Sequence, residues 1–173
     1  MAGIALATCG AGPPTAEHLV KFFPEKLSMA TLLVVDDDND VRETLLSLFV
    51  NTHECHTADR AEQALSFLEF ESYDVVLTDL AMPGLSGREL MQRIRTNHPT
   101  TQVIVISGTI DEKEAEAMIE MGAFAYFPKP FRLEEIEAAV NRAVAHRQVL
   151  SKSYETEKQD QQNGIEGSGD PTR

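Results

Sequence analysis

The sequence predicts a doubly wound α/β fold, a five-stranded parallel sheet with helices on both faces. Two observations carry this. Continuous apolar runs of four to six residues recur along the chain, and stretches with helical spacing separate them, which is how strands buried on both faces read. Five strand–helix repeats follow in succession, and crossovers between parallel strands place helices on both faces of the sheet.

The first strand is Leu32-Leu33-Val34-Val35, ending in Asp36-Asp37-Asp38. Asn39 or Asp40 is suited to cap a helix over about 40–51, with Val41, Leu45, Leu48 and Phe49 on one face. A short strand near 54–57 follows, and Asp59 is expected to cap a helix over 60–70 that turns Ala61, Ala64, Leu65 and Leu68 inward. Strand 74–79 ends in Asp79 and leads into Ala81-Met82-Pro83-Gly84-Leu85-Ser86-Gly87, a loop rich in turn formers. Ser86 opens a helix through His98 that buries Leu90, Met91 and Ile94. Strand 102–107 ends in Ser107, a helix near 111–121 is capped by Asp111, and strand 124–127 runs into Pro128-Lys129-Pro130. The final helix starts near 132 and extends past His146 towards Lys158, after which Gln, Gly, Ser and Asp favour disorder.

Three regions result: a disordered leader over 1–28, a folded domain over 29–148, and a helix extension with a disordered polar tail over 149–173. Met29 directly precedes the first strand and is a candidate natural start. Of 28 acids and 15 bases, residues 1–29 hold two of each and residues 151–173 hold five acids and three bases, so 30–150 carry 21 acids against 10 bases. Such a domain is disfavoured as a direct binder of nucleic acid or anionic membrane, and a basic or metal-requiring partner fits better. The two cysteines, Cys9 and Cys55, form no disulfide framework or zinc spacing; Cys55 reads as a small buried hydrophobe, which suits a reducing cytoplasm. No apolar run reaches the 18 residues of a spanning helix. The segment before Lys21 lacks the basic start of a signal peptide, and Leu6-Ala7-Thr8-Cys9 is only a faint likeness of a lipoprotein cleavage site.

Parallel strands present their C-terminal ends along one edge, where open α/β sheets bind ligands. That edge gathers Asp36, Asp37, Asp79, Ser107 and Lys129. Adjacent strand ends lie about 5 Å apart, so their carboxylates can share a cation; all-oxygen ligands suit Mg²⁺. A calcium-binding helix–loop–helix reading fails, because Val41 replaces the loop glycine and Ser47 the bidentate glutamate. Beside a metal held by Asp37, Asp79 becomes a candidate nucleophile towards phosphorus. Ser107 and the backbone N–H of Gly108 are candidate donors to phosphoryl oxygens, with glycine permitting close approach. Lys129 supplies the compensating charge; a cis Lys129–Pro130 bond would aim it inward. Tyr126 reads equally as core, surface or switch.

These residues closely resemble the receiver domain of two-component response regulators, chemotaxis-regulator-like. The match spans about residues 30–147 and rests on Val-Val-Asp36-Asp37, Val-Val-Leu-Thr-Asp79 with Met82-Pro83-Gly84 and Gly87, Val-Ile-Ser107-Gly108, and Gly122-Ala123 through Lys129-Pro130-Phe131. The resemblance implies a flavodoxin-like (β/α)5 sheet of strand order 2-1-3-4-5. It implies that Asp79 accepts phosphate from a sensor histidine kinase or a histidine phosphotransfer protein. Mg²⁺ would be held by Asp37, Asp79 and the carbonyl of Ala81, with Asp36 acting through water. Ser107 and Tyr126 would form a switch that reshapes the face of the fourth helix, fifth strand and fifth helix. The chain is then a phosphoacceptor taking part in its own phosphorylation and slow dephosphorylation, not an enzyme on other substrates. Receivers that dephosphorylate quickly often carry an acid or amide where this chain has Ala81 and Thr109, so a long-lived phosphoaspartate is expected.

Two rival readings fit the residues less well. A haloacid-dehalogenase-type phosphatase also uses a strand-end Asp-x-Asp, a Ser/Thr and a lysine, but here Asp79 would have no role and Asp40 stands where Thr or Val is usual. A pseudo-receiver scaffold is disfavoured by the full acidic set. No effector motif follows residue 150, so output falls to an unidentified protein partner, to phosphate relay, to phosphorylation-dependent homodimerisation, or to an effector on a longer chain.

Overall fold

The structure, a computed structural model, describes residues 29–108 and 112–165, with side chains as far as Ser153. Strands β1 (Thr31–Val35), β2 (Glu54–Ala58), β3 (Val75–Asp79), β4 (Gln102–Ser107) and β5 (Ala125–Pro128) alternate with helices α1 (Asn39–Phe49), α2 (Ala61–Phe70), α3 (Gly87–Asn97), α4 (Glu112–Glu120) and α5 (Leu133–Ile165). The strands pair in parallel in the order β2-β1-β3-β4-β5. The chain leaves β1 towards one edge and returns to β3 on the other side, so the topological switch lies between β1 and β3. Those are the two strands that end in acid.

Period-two alternation divides the apolar residues into two cores. Leu33, Val35, Val76, Val103 and Val105 face α2, α3 and α4, while Leu32, Val34, Val75, Leu77, Ile104 and Ile106 face α1 and α5. β3 and β4 are buried from end to end, as strands covered on both faces must be. The fold therefore agrees with the expected doubly wound, flavodoxin-like sheet.

The boundaries show where local sequence misleads. α1 is capped by Asp38 and not by Asn39 or Asp40: the Asp38 carboxylate accepts from the Asp40 N–H. Asp38, Asn39 and Asp40 are all good caps chemically, and the exit direction of β1 selects the first. Asp59 does not cap α2. Arg60 occupies the cap position with no side-chain bond to the helix, and the Asp59 carboxylate is taken by the Arg60 guanidinium at 2.9 and 3.2 Å. Val41, Leu48 and Leu65 are half-buried at the margins of the two cores. β5 begins one residue later than expected. α5 runs to Ile165, beyond the expected end near Lys158, as suits a stretch rich in Glu, Lys and Gln, which are strong helix formers. The expected leader over 1–28, the Asp111 cap and the polar tail from 166 lie outside the described residues.

α5 is also tied to the sheet edge opposite the acids. Arg147 donates to Asp74 at 2.8 Å, Asp74 accepts the Thr31 N–H at 2.7 Å, and His146 meets Gln102 at 3.1 Å.

Candidate functional site

β1 ends at Val35 and places Asp36 just past the sheet; Asp79 is the last residue of β3, the neighbouring strand. Both side chains are buried, with residue exposures of 2% and 4%. The Lys129 ammonium reaches Asp36 Oδ2 at 2.7 Å and Asp79 Oδ1 at 3.0 Å. Its backbone is fixed by a bond from the Lys129 N–H to the Ser107 carbonyl at 2.7 Å, and the Lys129–Pro130 peptide is cis. The remaining oxygens are also held. Asp36 Oδ1 accepts from the Asp38 N–H at 2.9 Å and Asp79 Oδ2 from the Ala81 N–H at 2.6 Å.

Burial holds Asp36 above the ordinary carboxyl range, because its bonds to Lys129 and Asp38 offset only part of the desolvation cost. Lys129 also loses solvation, but its two carboxylate partners outweigh that and raise its affinity for the proton. The ion pair therefore keeps the amine charged without making the Asp36 carboxylate comfortable.

Asp37 is exposed and lines a recess of about 610 Å³ with Asp59, Arg60, Glu62, Pro83 and Gly84. Asp36, Asp37 and Asp79 do not converge on a point: among the described residues, the one trio of potential ligands within 4.8 Å of each other is elsewhere, at Glu54, His56 and Glu71. Three carboxylates against one ammonium still leave net negative charge among oxygen donors, a set that fits a hard divalent cation such as Mg²⁺. Asp38, the second acid of the phosphatase reading, is spent on capping α1.

Ser107 ends β4 with no exposure. It follows Val105, the register partner of Tyr126, by two residues, so the hydroxyl and the tyrosine share a face of the sheet. Tyr126 is half-buried against the α2–α4 core and lines a groove with Ala115 and Ile119 of α4. A Cβ built at Gly108 meets no atom within 4 Å, so open space borders the Ser107 terminus. Thr109 lies outside the described residues.

Three residues support the site through contacts that the sequence does not spell out. Gly87 brings the first turn of α3 onto the end of β3: a Cβ there would sit 1.8 Å from the Asp79 carbonyl oxygen. Glu62 accepts the Leu85 N–H at 2.9 Å, next to Gly84, whose φ of +83° favours glycine, and so holds the loop beyond Asp79 from the far side of the recess. Arg42 donates to the Asp36 carbonyl oxygen and to Asn39 Oδ1. Each is a tertiary contact whose partner is distant or backbone, which motif spacing does not encode.

A family model described as the response regulator receiver domain matches residues 32–141. The DNA-binding transcriptional regulator NtrC of Salmonella typhimurium is 34% identical over 140 residues, 80% of this chain and 28% of that protein. Response regulator MprA of Mycolicibacterium vanbaalenii is 36% identical over 117 residues, 67% of this chain and 50% of that protein. Among solved structures, a response regulator receiver domain protein from Clostridium thermocellum superposes with a TM-score of 0.66 at 32% identity, covering 70% of this chain and 99% of that one. NtrX from Brucella abortus, solved with ADP, gives 0.69 at 28% identity, covering 73% of this chain and 30% of that one. The chain spans about a quarter of the length of the NtrC relatives it matches.

Proposed function

Because the chain belongs to the response regulator receiver family, we propose that Asp79 is its phosphoacceptor, loaded by a histidine-kinase or phosphotransfer-protein phosphohistidine. The observation that carries this is the Lys129 ammonium bridging the buried carboxylates of Asp36 and Asp79 at adjacent strand ends. A carboxylate oxygen of Asp79 attacks phosphorus; the new O–P bond forms as the P–N bond to the donor breaks, and the electron pair leaves with the donor imidazole, which takes up a proton. Asp37, Asp79 and the Ala81 carbonyl would hold Mg²⁺, with Asp36 joining through water; the ion supplies charge neutralisation to the transferring group. Lys129, the Ser107 hydroxyl and the Gly108 N–H take phosphoryl oxygens.

Capture of Ser107 by the phosphoryl group shifts Tyr126 inward, and the α4-β5-α5 face changes for an output partner. Lining of the α4 groove by Tyr126 supports this assignment. We assign residues 29–148 as the signalling domain and a cytoplasmic setting; among the described residues no helix is long and apolar enough to cross a membrane. DNA binding is part of the NtrC relatives' names, and this acidic domain is not proposed to bind DNA itself. Ala81 and Thr109 offer no acid or amide to orient water, so the phosphoaspartate is long-lived.

The test is treatment of wild type and Asp79→Asn with a small phosphodonor and Mg²⁺, followed by intact mass and size exclusion. One phosphoryl group on wild type and none on the variant is expected; equal labelling of both overturns the assignment. Decay of the adduct within seconds contradicts the lifetime, and a shift in elution volume reports homodimer formation.

A further inference from the structure

Outside the acidic site, one cluster combines an imidazole with carboxylates. Glu54 and His56 lie two residues apart on β2, the edge strand, and therefore on the same face. Glu71 directly follows α2, and its carboxylate lies 3.1 Å from His56 Nδ1. The Tyr73 hydroxyl lies 2.7 Å from His56 Nδ1 and donates to Glu71 Oε2 at 3.0 Å. Tyr73 is fully buried, and its ring meets the His56 ring edge-on at 5.7 Å. A rigid core residue thus sets the direction of two surface groups. Beside them opens a recess of about 420 Å³ walled by Phe67 and Phe70; Phe70 is 89% exposed.

We propose that Glu54, His56 and Glu71 bind a divalent transition-metal cation of the zinc class, with Tyr73 as the positioning residue behind two of the ligands. The three ligand atoms already lie within 4.8 Å of one another. An imidazole with two carboxylates suits zinc-class ions and disfavours Mg²⁺ and Ca²⁺, which take oxygen alone. Because Tyr73 holds His56 Nδ1, the ligating ring nitrogen would be Nε2, the arrangement in which an outer partner fixes the other nitrogen of a metal-bound histidine. The recess leaves room for the water that completes the coordination. Cys55, between Glu54 and His56 on β2, is not among the proposed ligands: it packs against the opposite core, and its Sγ lies 3.7 Å from the His53 carbonyl oxygen. Ligand type separates this site from the all-oxygen one at Asp36, Asp37 and Asp79, so the proposal does not depend on the phosphoacceptor reading. Bound metal would join β2 to the end of α2.

The experiment is calorimetric titration of ZnCl₂ into the tag-free full chain, stripped with chelator and kept in excess Mg²⁺, beside His56→Gln, Glu71→Gln and Asp37→Asn. One zinc per chain is expected in wild type and Asp37→Asn, with affinity falling by about ten-fold or more in the other two variants. Far-UV circular dichroism checks that each variant is folded. The His56 imidazole resonances of wild type supply a readout without mutation and should shift on zinc addition. Saturable binding that persists in His56→Gln, unmoved His56 resonances, or no saturable binding in wild type overturns the proposal.

Discussion

Gly87→Ala should damage the protein through a single methyl group, and Gly108→Ala should not. A Cβ at position 87 would lie 1.8 Å from the Asp79 carbonyl oxygen, 2.8 Å from its carbon and 3.0 Å from Leu80 Cα. Real contacts of this kind stay beyond 3.0 Å, so helix and strand must separate by at least 1.2 Å. All three obstructing atoms are backbone, and no side chain can rotate away. Separation also stretches the bond from the Gly87 N–H to the Leu80 carbonyl, now 3.1 Å. Overpacking of this kind costs roughly 3 kcal/mol, or about 10 °C in Tm for a domain this size. The displaced group is the backbone of Asp79, and a misplacement near 1 Å slows reactions by on the order of 100-fold. Gly108 is the matched control: its added Cβ meets nothing, so stability should stay within about 0.5 kcal/mol. Urea denaturation gives the stabilities, and intact mass against time after addition of a phosphodonor gives the rates. A Gly87→Ala variant within about 1 kcal/mol of wild type, or a Gly108→Ala variant equally damaged, would refute the reasoning.

Lys129→Met leaves two buried carboxylates without their shared ammonium; stability in urea should fall by about 2 kcal/mol at pH 7 without Mg²⁺, after allowance for partial exposure of the lysine. Asp36 predicts an unusual pH response. Its proton affinity is raised in the folded state, so between the unfolded and folded pKa values the folded protein binds more protons, and stability falls as pH rises through that window. Asp36→Asn should therefore raise the Tm of the Mg²⁺-free protein at pH 7 and flatten that dependence, and melts across the acid range that remain parallel for the two proteins would contradict it.

The strands were legible because a sheet covered on both faces needs unbroken apolar runs, and few other structures do. The acids at the ends of β1 and β3 were legible for the same reason, since they mark where each run stops. Other features depend on distances the sequence does not carry. Asp38 competes with two chemically equivalent caps, Asn39 and Asp40, and only the path out of β1 decides. Asp59 had the right chemistry for a cap, but Arg60 next to it offered two bonds at once. Glu62 and Leu85 are 23 positions apart, and no periodicity joins them. Gly87 was readable as a turn residue, whereas its closeness to Asp79 emerges only when α3 lies over the sheet.

The bond between Arg147 and Asp74 makes a fulcrum of the place where α5 leaves the sheet. From there to Ile165 the helix projects about 27 Å at the usual rise per residue, so a tilt of about 5° at the tie sweeps its far end through about 2 Å. Small angular adjustments in the globular body are thereby amplified into linear travel at the tip, and loosening the tie would dissipate that travel as fraying.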